Sequence, residues 1–178
     1  MGIFISLSVL LASVCLFFSY LFSRLAAGCR SRLAEGLPRA KVPGLLLGIV
    51  CLVWSAWHGC LMLEGPLEKY HPVVWLLVPT TAVLSWFYLD YLFSRALGGF
   101  FALAANELIR QGFTHAVTLR PLFSVICLLL GVCGLFLIGT PWRLRDLLEI
   151  AGKKPRAGRL LSLALLLCAV VLIVLPLL

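Results

Sequence analysis

Charge is what this chain has least of. Charged side chains make up 12% of its 178 residues, with seven Asp and Glu against fifteen Lys and Arg, where a soluble globular domain carries roughly 25%. A surface that poor in charge excludes an ordinary water-soluble fold. Histidine is also scarce: the three present, His58, His71 and His115, include no pair at the i, i+4 spacing that places two imidazoles on one helix face. Cysteine is present seven times but never as CxxC, so a thioredoxin-like redox centre is excluded. Walker A, HExxH and GxSxG are absent, as are the paired Asp motif of phospho-alcohol transferases and a His/Asp acyltransferase set. The chain therefore has no motif that names a reaction, and an enzyme is the less favoured class.

What the chain does have is apolar sequence. Hydrophobic residues reach 62% and the mean hydropathy is +1.09. The apolar runs approach the ~20 residues that a helix rising about 1.5 Å per residue needs to cross a ~30 Å hydrocarbon core. Backbone in lipid must satisfy its own hydrogen bonds, and the runs lack the alternation of barrel strands, so they read as helices. The expected fold is an all-α integral membrane protein forming a single polytopic domain over 1–178. Its spans are at approximately 2–23, 43–63, 72–93, 96–119, 121–139 and 160–178. That makes six transmembrane helices, or five if the fourth segment does not cross. Leu25-Ala26-Ala27-Gly28-Cys29 has the look of a lipobox, but no Lys or Arg precedes Arg24. The first run is expected to be a retained helix.

Basic residues set the expected orientation. Arg24, Arg30, Arg32, Arg39 and Lys41 fall in the connection 24–42, and Arg143, Arg145, Lys153, Lys154, Arg156 and Arg159 in the connection 140–159. The positive-inside rule makes both cytoplasmic, with the amino terminus outside, in a cell membrane of bacterial inner-membrane type. Two connections on one side need an even number of crossings between them, and only three plainly apolar runs lie there. The segment 96–119 completes the count if it crosses. If it lies on the surface as an amphipathic helix, or re-enters, one basic loop breaks the rule. Its polar residues Asn106, Glu107, Arg110, Gln111, Thr114 and His115 form one stripe at helical spacing, a geometry common to the crossing and the surface forms.

In a crossing helix Glu107 and Arg110 would sit near the bilayer centre, where each charge costs ~2.5–3.5 kcal/mol on insertion scales. Their i, i+3 spacing lets them pair, with Asn106, Gln111 and Thr114 completing the hydrogen bonding. The stripe is then either a seam that holds helices together or a proton or solute path. His58, His71 and Asp90 are candidate ligand-binding residues, with Asp90 hydrated or paired to Arg95. A haem or a quinone is the only cofactor worth weighing; no cofactor and no metal site is expected. Trp54, Trp57, Trp75, Trp86 and Trp142 suit an interfacial belt. Gly98-Gly99 and Gly131-x-x-Gly134 offer flat surfaces for close helix approach.

Near 141–151 a short amphipathic helix is expected at the interface, with Thr140 as N-cap, Pro141 at the first position and Gly152 at the end. Its apolar face would be Leu144, Leu147, Leu148 and Ala151. Arg143, Arg145, Lys153, Lys154 and Arg156 would meet anionic lipid headgroups at about 1 kcal/mol each. The net charge of +8 needs no nucleic acid to explain it. Residues 134–175, in which Pro141-Trp142 and a basic amphipathic turn join two apolar helices, resemble small two-span bacterial membrane proteins of unknown function, a likeness that implies no activity. The functional expectation is an auxiliary or structural subunit of a larger cytoplasmic-membrane complex, its partners being lipid and other membrane subunits or copies of itself. A small transporter or channel component acting through Glu107 and Arg110 is second, and a haem- or quinone-associated redox subunit third.

Overall fold

Proline, glycine and two left-handed residues divide the apolar sequence into helices. The computed structural model describes residues 2–28, 36–63, 65–114 and 119–176. Within them lie α1 (Gly2–Ala26), α2 (Lys41–Met62), α3 (His71–Tyr88), α4 (Leu92–Thr114), α5 (Arg120–Gly139), α6 (Trp142–Lys153) and α7 (Pro155–Val174). Short 3-10 turns at Leu37–Arg39 and Gly65–Tyr70 precede α2 and α3. Pro72, Pro121 and Pro155 open α3, α5 and α7, where a missing N–H costs nothing. Gly28 at φ +80° follows α1, while Tyr91 at φ 56° and Leu119 at φ 57° reverse the chain before α4 and α5.

Five helices, α1, α2, α4, α5 and α7, are long and apolar enough to cross a membrane. The polar-striped helix is among them, but its bounds are not 96–119: it runs from Leu92 to Thr114. The expected span at 72–93 stops at Tyr88, because Asp90 and left-handed Tyr91 form the turn into α4. At 18 residues α3 is only ~27 Å long. It also carries Pro79 in its interior, where a helix loses one i→i−4 bond. Thr80 and Thr81 donate their hydroxyls back to the carbonyls of Leu76, Leu77 and Val78, so both hydroxyls are satisfied within the helix.

Specific contacts fix the helix directions. Antiparallel α1 and α7 are stitched by reciprocal hydroxyl-to-carbonyl bonds between Ser19 and Ser162 at 2.8 and 2.9 Å, and by Ser8, which donates to the Leu172 carbonyl. Antiparallel α4 and α5 meet at Gly98 and Gly134. A Cβ on Gly98 would stand 2.5 Å from the Gly134 carbonyl oxygen, and one on Gly134 would stand 2.6 Å from that of Gly98. By contrast α2 runs parallel to α4: Gly44 lies against Phe93 and Gly48 against Ala96, and further along Trp54 meets Phe100. With α3 antiparallel to both, the chain passes six times along the bundle axis.

The described residues that flank the connection after α1, and those around α6, consequently lie at the same end. Gly158 touches Ala26 there, Ser94 donates to the Pro141 carbonyl at 2.8 Å, and Arg145 reaches the Tyr91 hydroxyl at 3.4 Å. We call this the basic end. At the opposite end Phe4 packs edge-to-face on Phe123 with centroids 6.0 Å apart. The core fills the space among α1, α4, α5 and α7, with Leu11, Cys15, Leu108, Phe123, Cys127, Ala169 and Leu172 all but sealed. Cys15 and Cys127 thus act as small packing groups, as expected of thiols in apolar helices. Cys29 lies outside the described residues.

The amphipathic helix near 141–151 forms, but its apolar face does not lie on lipid. Leu144, Leu148 and Ala151 are buried in the protein core, and α6 packs across the basic end against α1 and α7. Thr140 caps the preceding helix rather than this one, its hydroxyl donating to the Phe136 carbonyl at 2.8 Å. The helix also continues one residue past Gly152.

Candidate functional site

The face of α2 that meets α4 is written at helical spacing as Gly44, Gly48, Cys51, Trp54 and His58. The small residues let the two helices approach at the basic end; the large ones fill the wider gap beyond. On α4 the answering residues are Ala96, Gly99, Phe100 and Glu107. Glu107 lies fifteen residues after Leu92, about 22 Å from the basic end and 10 Å from the other. That is off the middle of the helix, where the bounds 96–119 would have put it, because the helix starts and ends several residues earlier.

Glu107 is 6% exposed, and its carboxylate is met on both oxygens. Arg110 donates through Nη2 to Oε1 at 2.6 Å and through Nε to Oε2 at 3.1 Å, a bidentate fork. Gln111 donates a third bond to Oε1 at 2.5 Å. All three come from α4 itself, one turn on, where i+3 and i+4 side chains reach back. The Arg110 side chain remains 67% exposed, although its head reaches back toward Glu107, away from the nearer helix end.

From α2, His58 Nε2 approaches Glu107 Oε2 at 3.8 Å, beyond hydrogen-bond range. That nitrogen is already engaged, because Trp54 Nε1 donates to it at 2.9 Å. An indole N–H can only donate, so Nε2 holds a lone pair and the neutral ring carries its proton on Nδ1. Trp54 itself stacks at a tilt on Phe100, centroids 6.4 Å apart. The cluster therefore has a polar side, His58 with Glu107, Arg110 and Gln111, and directly below it an aromatic floor facing the basic end. Below that floor the α2–α4 seam is Cys51, Ala96, Gly48 and Gly44, with the Cys51 thiol directed at the Ala96 carbonyl at 3.6 Å.

The other expected site residues are dispersed. Asn106 is exposed and turned away from Glu107. His71 opens α3 and its Nε2 lies 3.0 Å from the Leu63 carbonyl, closing the end of α2 rather than facing Glu107. Asp90 sits exposed in the turn at the basic end, the far side of the molecule from both described histidines. It does not pair with Arg95, which instead donates from Nη1 to the Ile138 carbonyl at 3.2 Å. His115 lies outside the described residues. Of the basic set at α6, Arg145 pairs with Glu149 at 3.5 Å and Asp146 at 3.6 Å, and Lys153 with Glu149 at 3.3 Å. Arg143, Lys154 and Arg156 are exposed at the same end.

Trp54 is the member of the cluster that sequence reasoning placed elsewhere, in the interfacial belt. Its i, i+4 relation to His58, in register with Gly44, Gly48 and Cys51, is the signal that puts it on the α4-facing side. In this arrangement both described histidines use Nε2, His58 with the Trp54 indole and His71 with the Leu63 carbonyl. Among the described residues no group of three or more His, Cys, Asp and Glu is placed to hold a metal ion. Comparison with protein-family models, curated proteins and solved structures finds no match.

Proposed function

We propose that this chain is an auxiliary, structural subunit of a larger assembly in a cytoplasmic membrane, and that its polar stripe, satisfied on α4 itself, forms together with Trp54 and His58 of α2 packed against it a clamp that holds the two helices in register. The observation that carries this reading is the completeness of the Glu107 site. Its carboxylate is satisfied by Arg110 and Gln111, and Trp54 and Phe100 close the seam beneath it. A path for protons or solute needs polar groups or water on both sides of such a floor. A clamp needs only what is present, since buried polar pairs act chiefly by specifying one packing arrangement. In this reading all six long helices cross, including short α3, with connections 24–42 and 140–159 in the cytoplasm and the cluster near the outer face. The common end of the two basic connections supports that orientation.

Purification of the tagged full chain from its own membranes in mild detergent tests it. Stoichiometric additional subunits, retained through a second affinity step, are expected. A chain that runs alone, and that moves protons or a solute in liposomes with loss on Glu107→Gln, would overturn the reading. It would establish in its place the second one, a transport component. The approach of His58 to Glu107 across two helices is what favours that alternative: imidazole and carboxylate at 3.8 Å could exchange a proton if the Trp54 bond to His58 opened.

A further inference from the structure

Packing is open at the basic end beside α3, which has no buried residue of its own. There α2 and α3 separate, leaving a side-opening cleft of about 420 Å³ walled by residues such as Leu45, Ile49, Pro79, Ala82, Trp86 and Phe87. A second chamber of about 160 Å³ continues inward between α2, α3 and α4, and Leu45, Ile49 and Ala82 line both. The larger volume falls in the ~300–1,000 Å³ range of ligand sites, and its wall is apolar.

The basic end of this cleft is charged. Lys41 stands over the Trp86 ring, 5.8 Å from its centroid, and Arg95 lines the inner chamber. Arg95 uses one guanidinium nitrogen on the Ile138 carbonyl, but its Nε is sealed from solvent with no hydrogen-bond partner. A buried donor left unpaired is costly, and an acceptor in the chamber would satisfy it. Asp90, exposed in the α3–α4 turn, is the acidic group at this end of α3, so the two cations outnumber it.

We propose that this cleft binds one anionic phospholipid, an acyl chain lying between α2 and α3 and the phosphate drawn to Lys41 and Arg95. The site is separate from the Glu107 clamp and does not depend on the subunit reading. It also differs from a general attraction of the basic end for anionic headgroups, because it requires an apolar slot and two named cations.

Native mass spectrometry of the full chain, exchanged into mixtures of phosphatidylglycerol and phosphatidylcholine with identical acyl chains, tests the proposal. At about fivefold per basic residue near a headgroup, the wild type should retain a single phosphatidylglycerol in roughly ten- to thirtyfold preference. Lys41→Gln with Arg95→Gln should abolish the preference. Ala82→Phe, which fills the shared wall of both chambers, should lower retention of both lipids while the thermal unfolding midpoint is preserved. Lys69→Gln, exposed at the opposite end of the molecule, should change nothing. Equal retention of the two lipids by the wild type would overturn the proposal. So would a preference that survives the double substitution, or one lost equally in Lys69→Gln.

Discussion

Replacing Gly134 by Ala adds one methyl group at the closest approach of α4 and α5, and the outcome can be worked from the backbone. The new Cβ would lie 2.6 Å from the Gly98 carbonyl oxygen, 2.9 Å from Phe101 Cβ and 3.0 Å from the Ala102 nitrogen. Carbon–oxygen contacts between helices settle at about 3.3–3.6 Å, so the two helices must part by roughly 0.7–1 Å. A gap of that size forfeits a quarter to a half of the dispersion well for each atom pair along the seam, and in a bilayer packing rather than water drives helix association. Overpacking of this kind costs about 1–3 kcal/mol. Alanine is itself the better helix former, by up to ~1 kcal/mol in water, so a net loss of about 1–2 kcal/mol is expected. Gly99→Ala is the matched control one residue away from Gly98, because its Cβ would meet only Cys51 Cβ at 4.0 Å, an ordinary contact. Equilibrium unfolding of the purified protein in mixed micelles reads both. If the two variants differ by less than ~0.5 kcal/mol, or Gly134→Ala is the more stable, the reasoning from close approach fails.

Three further outcomes are expected. Ser162→Ala should destabilise the α1–α7 pair by about 0.6–1 kcal/mol, the range for interhelical hydrogen bonds in membranes; Ser19→Ala on top of it should cost about as much again, since each hydroxyl donates to a backbone carbonyl that alanine keeps, and a double variant as stable as the single one in a micelle-unfolding cycle would contradict that. Leu119→Gly should be neutral to stabilising by up to ~1 kcal/mol, because a left-handed leucine is strained by about 1–2 kcal/mol while glycine is not, less the extra entropy of the unfolded chain; clear destabilisation in the same assay would refute it. In a cysteine-free background, Asp90→Cys and Arg156→Cys should be labelled by an impermeant maleimide from one side of sealed vesicles and Arg120→Cys from the other. Labelling of Asp90→Cys and Arg120→Cys from the same side would mean that α4 does not cross.

The helical class and most of the helices were legible because span length is a physical constraint that composition meets or fails. The break between the third and fourth apolar runs was less so. Asp90 lies within an otherwise apolar stretch, Ala82 to Phe93, so hydropathy carries the third run through it. The backbone turns there because Tyr91 takes a left-handed conformation, which no propensity favours in tyrosine. Shifting α4 by four or five residues moved Glu107 from the middle of a helix to its outer third. At that depth a guanidinium three residues further on can reach back to the carboxylate and still stay largely exposed. The amphipathic pattern over 144–151 was equally plain, but amphipathicity states only that one face wants apolar company. Lipid and the ends of α1 and α7 satisfy that demand alike, and the fold supplies the protein.

The pairing of Glu107 with His58 was illegible for a different reason. A stripe on one helix says nothing of which neighbour receives it. The receiving helix is α2, and the cause lies 14 residues back along it, where a Cβ on Gly44 would come within 2.5 Å of the Phe93 nitrogen. Only a glycine there lets α2 lie parallel and close to α4, and once the two ends meet at Gly44 and Phe93 the rise per residue brings residue 58 level with residue 107. The clamp and the close approach are therefore one device. Gly44→Ala should displace His58 from Glu107 although it lies about 20 Å away along the helix. The ¹⁵N shift of His58 Nε2, bonded to Trp54 in the native packing, should then move toward that of a water-exposed imidazole. An unchanged shift in a folded Gly44→Ala protein would separate the two and leave the polar cluster to be explained by α4 alone.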